Sequence, residues 1–459
     1  MRAPIQSILF LSFFAFACSD PAVTPVADAG GTDAKPPKDS GADATPPPDI
    51  SGTTGLSVTV VSNSWSNPQN DTDVGTPVSG AAVRVENGAG GFLEGVTDSS
   101  GKATIKVDIA KGPFDVTVAK AAMGATSILD VKTAADLTKV IWMPQPLPRK
   151  EFSIGGAING KKAAGNEVLI DAPWFQTVFA KANATTYTTK HVYVTDDPNA
   201  VTVAAIEVDS TKTAVNAVMM PGVTRTQSAM TADITFPSVA VVPTVTNVTI
   251  NLPTTGALMA SDITTVGQTG LPAYSNAIVE QTSSKSATYV GLGLVAKPTG
   301  NTSNFKITAF GGNLAPTLAY CDLNNGNGLG FRVGTVDFTA SPAAITVPPV
   351  AKLSAQGTSL GDATIEFDST GYDYFSGSAY DATAQDTVWD VYSTGKTLTT
   401  HPFPHLPSTV PLTAITSASD LIIGIAVVKS AKQPKDFSGV PGVQAFINAS
   451  SGVQVSAAF

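Results

Sequence analysis

The sequence predicts an all-β protein built as tandem β-sandwiches. Three observations carry that prediction. The acids are lopsided, 29 Asp against 7 Glu, and Asp belongs in turns and caps where Glu favours helices. Gly (40) and Pro (32) are abundant and break the chain into pieces too short for long helices. Between the breaks lie short runs rich in Val, Thr and Ile, recurring roughly every ten residues, as strands of a sandwich do.

The first seventeen residues stand apart from that pattern. One positive charge, Arg2, precedes the apolar run Ile8–Ala17, which ends in small residues. The run is too short to span a bilayer and has the form of a secretory signal. Ala15-Phe16-Ala17 leads directly into Cys18, which resembles the lipobox of bacterial lipoproteins. The resemblance implies cleavage before Cys18 and acylation of its thiol and new amino group. It also implies, from Ser19, sorting to the outer membrane, on its periplasmic face or at the cell surface. Two or three acyl chains, at roughly 0.8 kcal/mol per buried CH2, anchor a protein essentially permanently.

Residues 18–54 read as the tether behind that anchor. Positions 19–54 hold six Asp, two Lys and seven Pro and no aromatic residue, too little apolar surface to fold. Such a chain of about 35 residues spans about 35 Å when flexible and roughly 110 Å when extended. The remainder is long enough for two to four domains. The formal charge of −9 and pI near 4.8 argue against nucleic acid or anionic lipid as partners. With Cys18 assigned to lipid, Cys321 is the one remaining cysteine; no internal disulfide forms, and Cys321 reads as a small core residue.

The folded part begins as alternation. Leu56, Val58 and Val60 make one strand face; Val83 and Val85 alternate with Arg84 and Glu86. Ala103, Ile105 and Val107 alternate with Thr104 and Lys106, and Phe114, Val116 and Val118 with Asp115 and Thr117. These are half-buried antiparallel strands, and Asp98-Ser99-Ser100-Gly101 supplies a turn between two of them. The succession of Gly80-Ala81-Ala82-Val83-Arg84-Val85, Thr97-Asp98-Ser99-Ser100-Gly101 and Val116-Thr117-Val118 resembles the carboxypeptidase regulatory-like, prealbumin-type sandwich of bacterial surface proteins. That resemblance, covering residues 55–145, implies a non-catalytic module.

Residues 137–148, with Pro144, Pro146 and Pro148, read as a linker. Strand-like runs then recur at Glu167–Ile170, His191–Thr195, Val201–Val208, Ala232–Phe236, Val245–Leu252, Thr288–Val295, Phe305–Phe310, Phe331–Phe338 and Ala344–Val347. Breaks near 253 and 350 divide them into a sandwich at 150–253, a β-rich unit at 254–350 and a C-terminal Ig-like or prealbumin-like sandwich at 351–459. Leu421–Val428 is a buried strand, too short for a membrane span.

Four patterns carry candidate chemistry. Gly357-Thr358-Ser359-Leu360-Gly361, with Asp390 and His405 downstream, has the spacing of a hydrolase nucleophile elbow. The elbow needs a helix after it, and Ala363–Asp368 alternates like a strand, so this is a Gly-rich loop. His401 and His405 have zinc-chelating spacing, but Pro402 and Pro404 deny them a helix. Asp322-Leu323-Asn324-Asn325-Gly326 has the front half of a calcium loop without its bidentate acid, and reads as a turn.

The fourth pattern is residues 353–395, with seven acids and no Lys or Arg, interleaved with Phe367, Tyr372, Tyr374, Phe375, Tyr380, Trp389 and Tyr392. Two accounts of it stand. Either the rings are core and the acids a solvated face, or rings and carboxylates together form a sugar site, carried by Tyr372, Asp373, Tyr374 and Trp389. The same acids have the chemistry to hold calcium. The sequence thus predicts a non-enzymatic, lipid-anchored envelope protein acting in adhesion, binding or scaffolding, its partner a glycan or an envelope protein.

Overall fold

A computed structural model describes residues 47–458, with breaks between strands, the longest at 63–75 and 431–450. Cys18 and most of the tether lie outside the described residues. Among those described there is no α-helix, only strands and short 3-10 turns. The chain is all-β.

The first unit holds β1 (Ser51–Ser62), β2 (Thr76–Pro77), β3 (Ala82–Asn87), β4 (Phe92–Val96), β5 (Lys102–Val107), β6 (Phe114–Lys120), β7 (Gly124–Val131) and β8 (Thr138–Met143). One sheet runs β2-β1-β5, with β8 added parallel to β1; the other runs β7-β6-β3-β4. Leu56, Val58, Val60, Val83, Val85, Ile105, Val107, Phe114, Val116 and Val118 fill the space between them. The alternation read from the sequence therefore builds the expected sandwich.

Two boundaries move. Ile50 is fully buried, and Ser51 already pairs with Val107, so the fold begins before residue 55. The segment 137–148 is not all linker, because β8 lies within it and buries Ile141 and Met143. Its prolines follow the strand instead of interrupting it.

The second unit has a core of its own. It comprises β9 (Arg149–Asn159), β10 (Glu167–Asp171), β11 (Val178–Ala180), β12 (Thr186–Val194), β13 (Ala200–Val208), β14 (Ala214–Thr224), β15 (Ala229–Thr231) and β16 (Ile234–Thr235). The sheets β11-β10-β13-β14 and β12-β9-β15/β16 enclose Ile154, Val168, Ile170, Val203, Ile234 and Phe236.

The remaining strands form one body, where two domains were expected. They are β17 (Thr244–Asn251), β18 (Thr265–Val266), β19 (Tyr274–Glu280), β20 (Ala287–Val295), β21 (Thr302–Ala309), β22 (Thr317–Asn324), β23 (Gly330–Val336) and β24 (Ala344–Thr346). After them come β25 (Leu353–Gln356), β26 (Thr364–Asp368), β27 (Tyr374–Asp381), β28 (Asp386–Ser393), β29 (Thr397–Pro402), β30 (Leu421–Ser430) and β31 (Ser451–Ala458). The last strand, β31, inserts antiparallel between β23 and β30 and so stitches the 254–350 and 351–459 segments into one sheet. A single buried cluster runs from Val248 to Val427 across both expected boundaries. Pro253 therefore does not end a domain: β17 belongs to the body that follows it.

That sheet does not stop at the third body. β28 pairs in parallel with β7, Trp389 opposite Ala125 and Tyr392 opposite Ile128. The outer sheet of the first sandwich is thus continuous with the C-terminal sheet.

Candidate functional site

The rings of 353–395 are core. Tyr372, Tyr374 and Trp389 are each at most 2% exposed, which leaves no ring face for a sugar to stack on. The three therefore do not form the exposed sugar-binding surface; only Asp373 of the four is partly accessible. The physical reason lies in what each ring meets. Tyr372 donates its hydroxyl to the Pro348 carbonyl at 2.7 Å, and burial raises its pKa well above the usual phenol range. Phe367 stacks on Phe375 at 4.1 Å between centroids. Trp389 meets Phe403 edge to face at 5.0 Å and donates its indole N–H to Ser127 Oγ at 2.9 Å. The Ser127 and Thr117 hydroxyls in turn share a hydrogen bond, 2.8 Å between oxygens. Trp389, with Tyr374 and Tyr392 in the first sandwich's core cluster, joins the first and third bodies, while Tyr372, Phe367 and Phe375 make their contacts within the third.

Charged groups from distant parts of the chain collect along the same junction. Past Trp389, residues 401–416 cross the first sandwich as a strap with prolines at 402, 404, 407 and 411. Prolines carry no N–H, so side chains and a few backbone contacts hold the strap. His405 presents its backbone N–H to Glu86 Oε1 at 2.9 Å and its ring Nδ1 to Oε2 at 3.0 Å. Ser408 donates its backbone N–H to Glu94 Oε1 at 2.7 Å and its hydroxyl to Oε2. Arg84 lies between the two acids, 2.9 Å from Glu86 and 3.3 Å from Glu94, with its guanidinium over Phe92. Ala122 N–H donates to Ala414 O at 2.9 Å.

His401 completes the seam. Its Nε2 lies 3.0 Å from Asp115 Oδ2 and its Nδ1 2.6 Å from Pro402 O. A bulge places it there, for β29 pairs His401 with Ile365 but Leu398 with Phe367, one residue too many on β29. Thr400 takes the strain of that bulge at φ +40°, and a bulge re-aims the side chain beside it. A cleft of about 290 Å³ lies next to the ring, bounded by the 87–89 and 111–113 turns, Asp115, Asp130 and His401.

The electrostatics follow the contacts. Burial alone works to raise Glu86, yet the hydrogen bonds from His405 and Arg84 outweigh it and hold the carboxyl below its usual range. Burial likewise works to lower His401, but the hydrogen bond and charge of Asp115 prevail and its pKa is raised. For His405 the bond to Glu86 is the leading influence, again raising the pKa. Its side chain is 57% exposed, so solvent screens that pair and His401 is the stronger link.

The remaining candidates resolve simply. Ser359 lies outside the described residues, but the strands around it, β25 and β26, are antiparallel neighbours, and no α-helix follows among the described residues. His405 is engaged by Glu86. Asn325 Oδ1 accepts from the Leu329 N–H beside the β22–β23 pairing, and residues 326–328 of the calcium-loop-like stretch lie outside the described residues. Cys321 sits on β22 opposite Val333, its side chain outside what is described. Among the described residues no three His, Cys, Asp or Glu side chains gather as a metal site, and no helix is long and apolar enough to cross a membrane.

The sequence missed the seam because its carboxylates and histidines are some three hundred residues apart. One signal was present: Glu86 and Asp115 occupy the outward positions of strands that need something to cover them.

No family model and no curated protein matches the chain. Among solved structures it is similar to the shaft pilin SpaA of Lactobacillus rhamnosus GG at 12% identity, over 40% of this chain and 97% of that one, TM-score 0.16. It is similar to a proposed adhesin of Bacteroides ovatus at 12% identity over 37% and 83%, TM-score 0.16. A third likeness is to the Bacillus anthracis TIE protein, at 9% identity over 59% and 45%, TM-score 0.15. These scores are too low for any of the three to assign a role to this chain.

Proposed function

We propose that this protein is a non-catalytic, lipid-anchored envelope protein whose β-body is held away from the outer membrane for adhesion or scaffolding. One observation carries the proposal: a single hydrogen-bonded sheet joins the first sandwich to the C-terminal body through β7 and β28. Along that junction Trp389, His401 and His405, which the sequence offers for chemistry or recognition, are engaged in holding the bodies together. A fused body suits transmitting position and load. The lipobox at Cys18 and the acidic tether supply the attachment, and the partner is an envelope protein or a surface glycan.

The test is made in intact envelopes. Wild-type chain is expected in the membrane fraction, with cross-links to other envelope components, and Cys18→Ala is expected folded in the soluble fraction without them. Membrane retention of Cys18→Ala, or turnover of a hydrolase substrate panel that Ser359→Ala abolishes, would contradict the proposal.

A further inference from the structure

The two ring nitrogens of His401 both face acceptors. Nε2 points at the Asp115 carboxylate and Nδ1 at the Pro402 carbonyl oxygen. A neutral imidazole carries one N–H and one lone pair, so it satisfies one of these contacts and turns a lone pair on the other. Only the doubly protonated ring donates to both. The seam is therefore built around imidazolium at this position.

Three further features make that proton consequential. The strap after His401 is proline-rich, so few backbone bonds secure it to the first sandwich. Thr400, directly before it, is a β-branched residue held at φ +40°, a strained conformation that persists only while the surroundings impose it. The ring also forms one wall of the cleft between the 87–89 and 111–113 turns.

We propose that His401 is a proton-sensing pin, its imidazolium fastening the 401–416 strap across the first sandwich and its deprotonation loosening the strap and opening the adjacent cleft. The groups facing it are few. Asp115 on β6 is its direct partner, and Asp115 Oδ1 also accepts from the Asp130 N–H. Asp130 is paired with Lys132. Lys111 donates to the Asp49 carbonyl. Glu86 and Arg84 on β3 lie farther off and bear mainly on His405. The one carboxylate bonded to the ring is thus Asp115, and removing its charge isolates the device.

The sign is fixed by the protonated state. A histidine whose folded-state pKa exceeds its ordinary 6.5 contributes its full stabilisation below 6.5 and loses it as pH rises through the raised value. The strap is fastened in mildly acidic surroundings and loosened in alkaline ones.

The experiment is a histidine ring NMR titration of the full chain in detergent, with hydrogen exchange across 401–416 at pH 6.0 and 8.5, corrected for intrinsic rates. His401 is expected to titrate above 6.5, with both ring nitrogens protonated below its midpoint. Exchange in the strap is expected to rise about tenfold at pH 8.5, the order expected for loss of one hydrogen bond to a charged group. Asp115→Asn keeps the ring and removes the charge; it is expected to bring the His401 midpoint back to 6.5 or below and to move the exchange transition with it. If His401 titrates at or below 6.5 in the wild-type chain, or if strap exchange is the same at the two pH values, the proposal is overturned. The wild-type measurements decide it even where a variant fails to fold.

Discussion

Trp389 shows how one residue changes meaning between a sequence and a fold. In the sequence it sits among acids and tyrosines, as in a sugar site; in the structure it spans a junction, bonded to Ser127 and packed on Phe403. Trp389→Ala is expected to cost about 3–5 kcal/mol of stability as a large-to-small core change, measured by chemical denaturation. Glycan affinity is not expected to be the property that changes. Thr400 makes the opposite case. Its φ of +40° costs a β-branched residue of order 1–3 kcal/mol and costs glycine almost nothing. Thr400→Gly, after the extra flexibility that glycine gives the unfolded chain, is expected to be neutral or to stabilise by up to roughly 1 kcal/mol. A clear loss of stability would mean that the threonine side chain has work of its own there.

At the scale of elements, local alternation was a faithful guide wherever one face of a strand meets solvent. β5 buries Ala103, Ile105 and Val107 and exposes Lys102, Thr104 and Lys106 as its pattern demands. The same rule misleads on β6, where Asp115 and Thr117 are as buried as their apolar neighbours. Their cover comes from distant chain, His401 over Asp115 and the β28 junction beside Thr117 and Ser127. No local window contains that information.

Turns were legible for a different reason: their chemistry is local. Asp98 accepts from Ser100 and Lys102, Asp209 from Thr211 and Thr213, and Asp368 from Thr370. Gly101 closes the first of these turns at φ +73°, where an added Cβ would come within 2.4 Å of the Val60 carbonyl oxygen. Gly101→Ala is expected to cost about 2–3 kcal/mol from the backbone conformation and that collision, visible as a lower denaturation midpoint.

β31 is the element whose place was least readable. Its alternating residues announce a strand, but nothing local says that it lies between β23 and β30. Deleting 451–459 exposes two unpaired edges inside a sheet; the expected outcome is aggregation of the third body, checked by light scattering, and not a trimmed but stable protein.

For the whole molecule, the all-β class and the first sandwich could be argued from composition and pattern, whereas the fusion of bodies could not. Domain boundaries were placed at prolines, and prolines mark the ends of strands more faithfully than the ends of cores. The cluster that includes Val248, Phe305, Phe367 and Val427 is assembled by pairings hundreds of residues apart. Charge adds a dependence on pH at this scale. Glu86, held below its usual 4.5, stabilises the seam above that value and loses the contribution as pH falls through its lowered pKa. His401 and His405, held above 6.5, stabilise below that value and lose it as pH rises through theirs. Taken together, the seam is tightest between about pH 4.5 and 6.5, and a melting-temperature profile of the full chain should fall on the alkaline side, with the fall reduced in Asp115→Asn.

Joined through β7 and β28, the first sandwich and the C-terminal body are expected to move as one, and paired spin labels measure whether they do. Labels at Ser99→Cys and Thr370→Cys, both exposed, in a Cys18→Ala, Cys321→Ala background, report the distance between the two bodies at pH 6. A single narrow distance distribution is the result this structure predicts. A broad or two-peaked distribution, with both bodies still folded, would contradict it and return the molecule to a string of independent sandwiches.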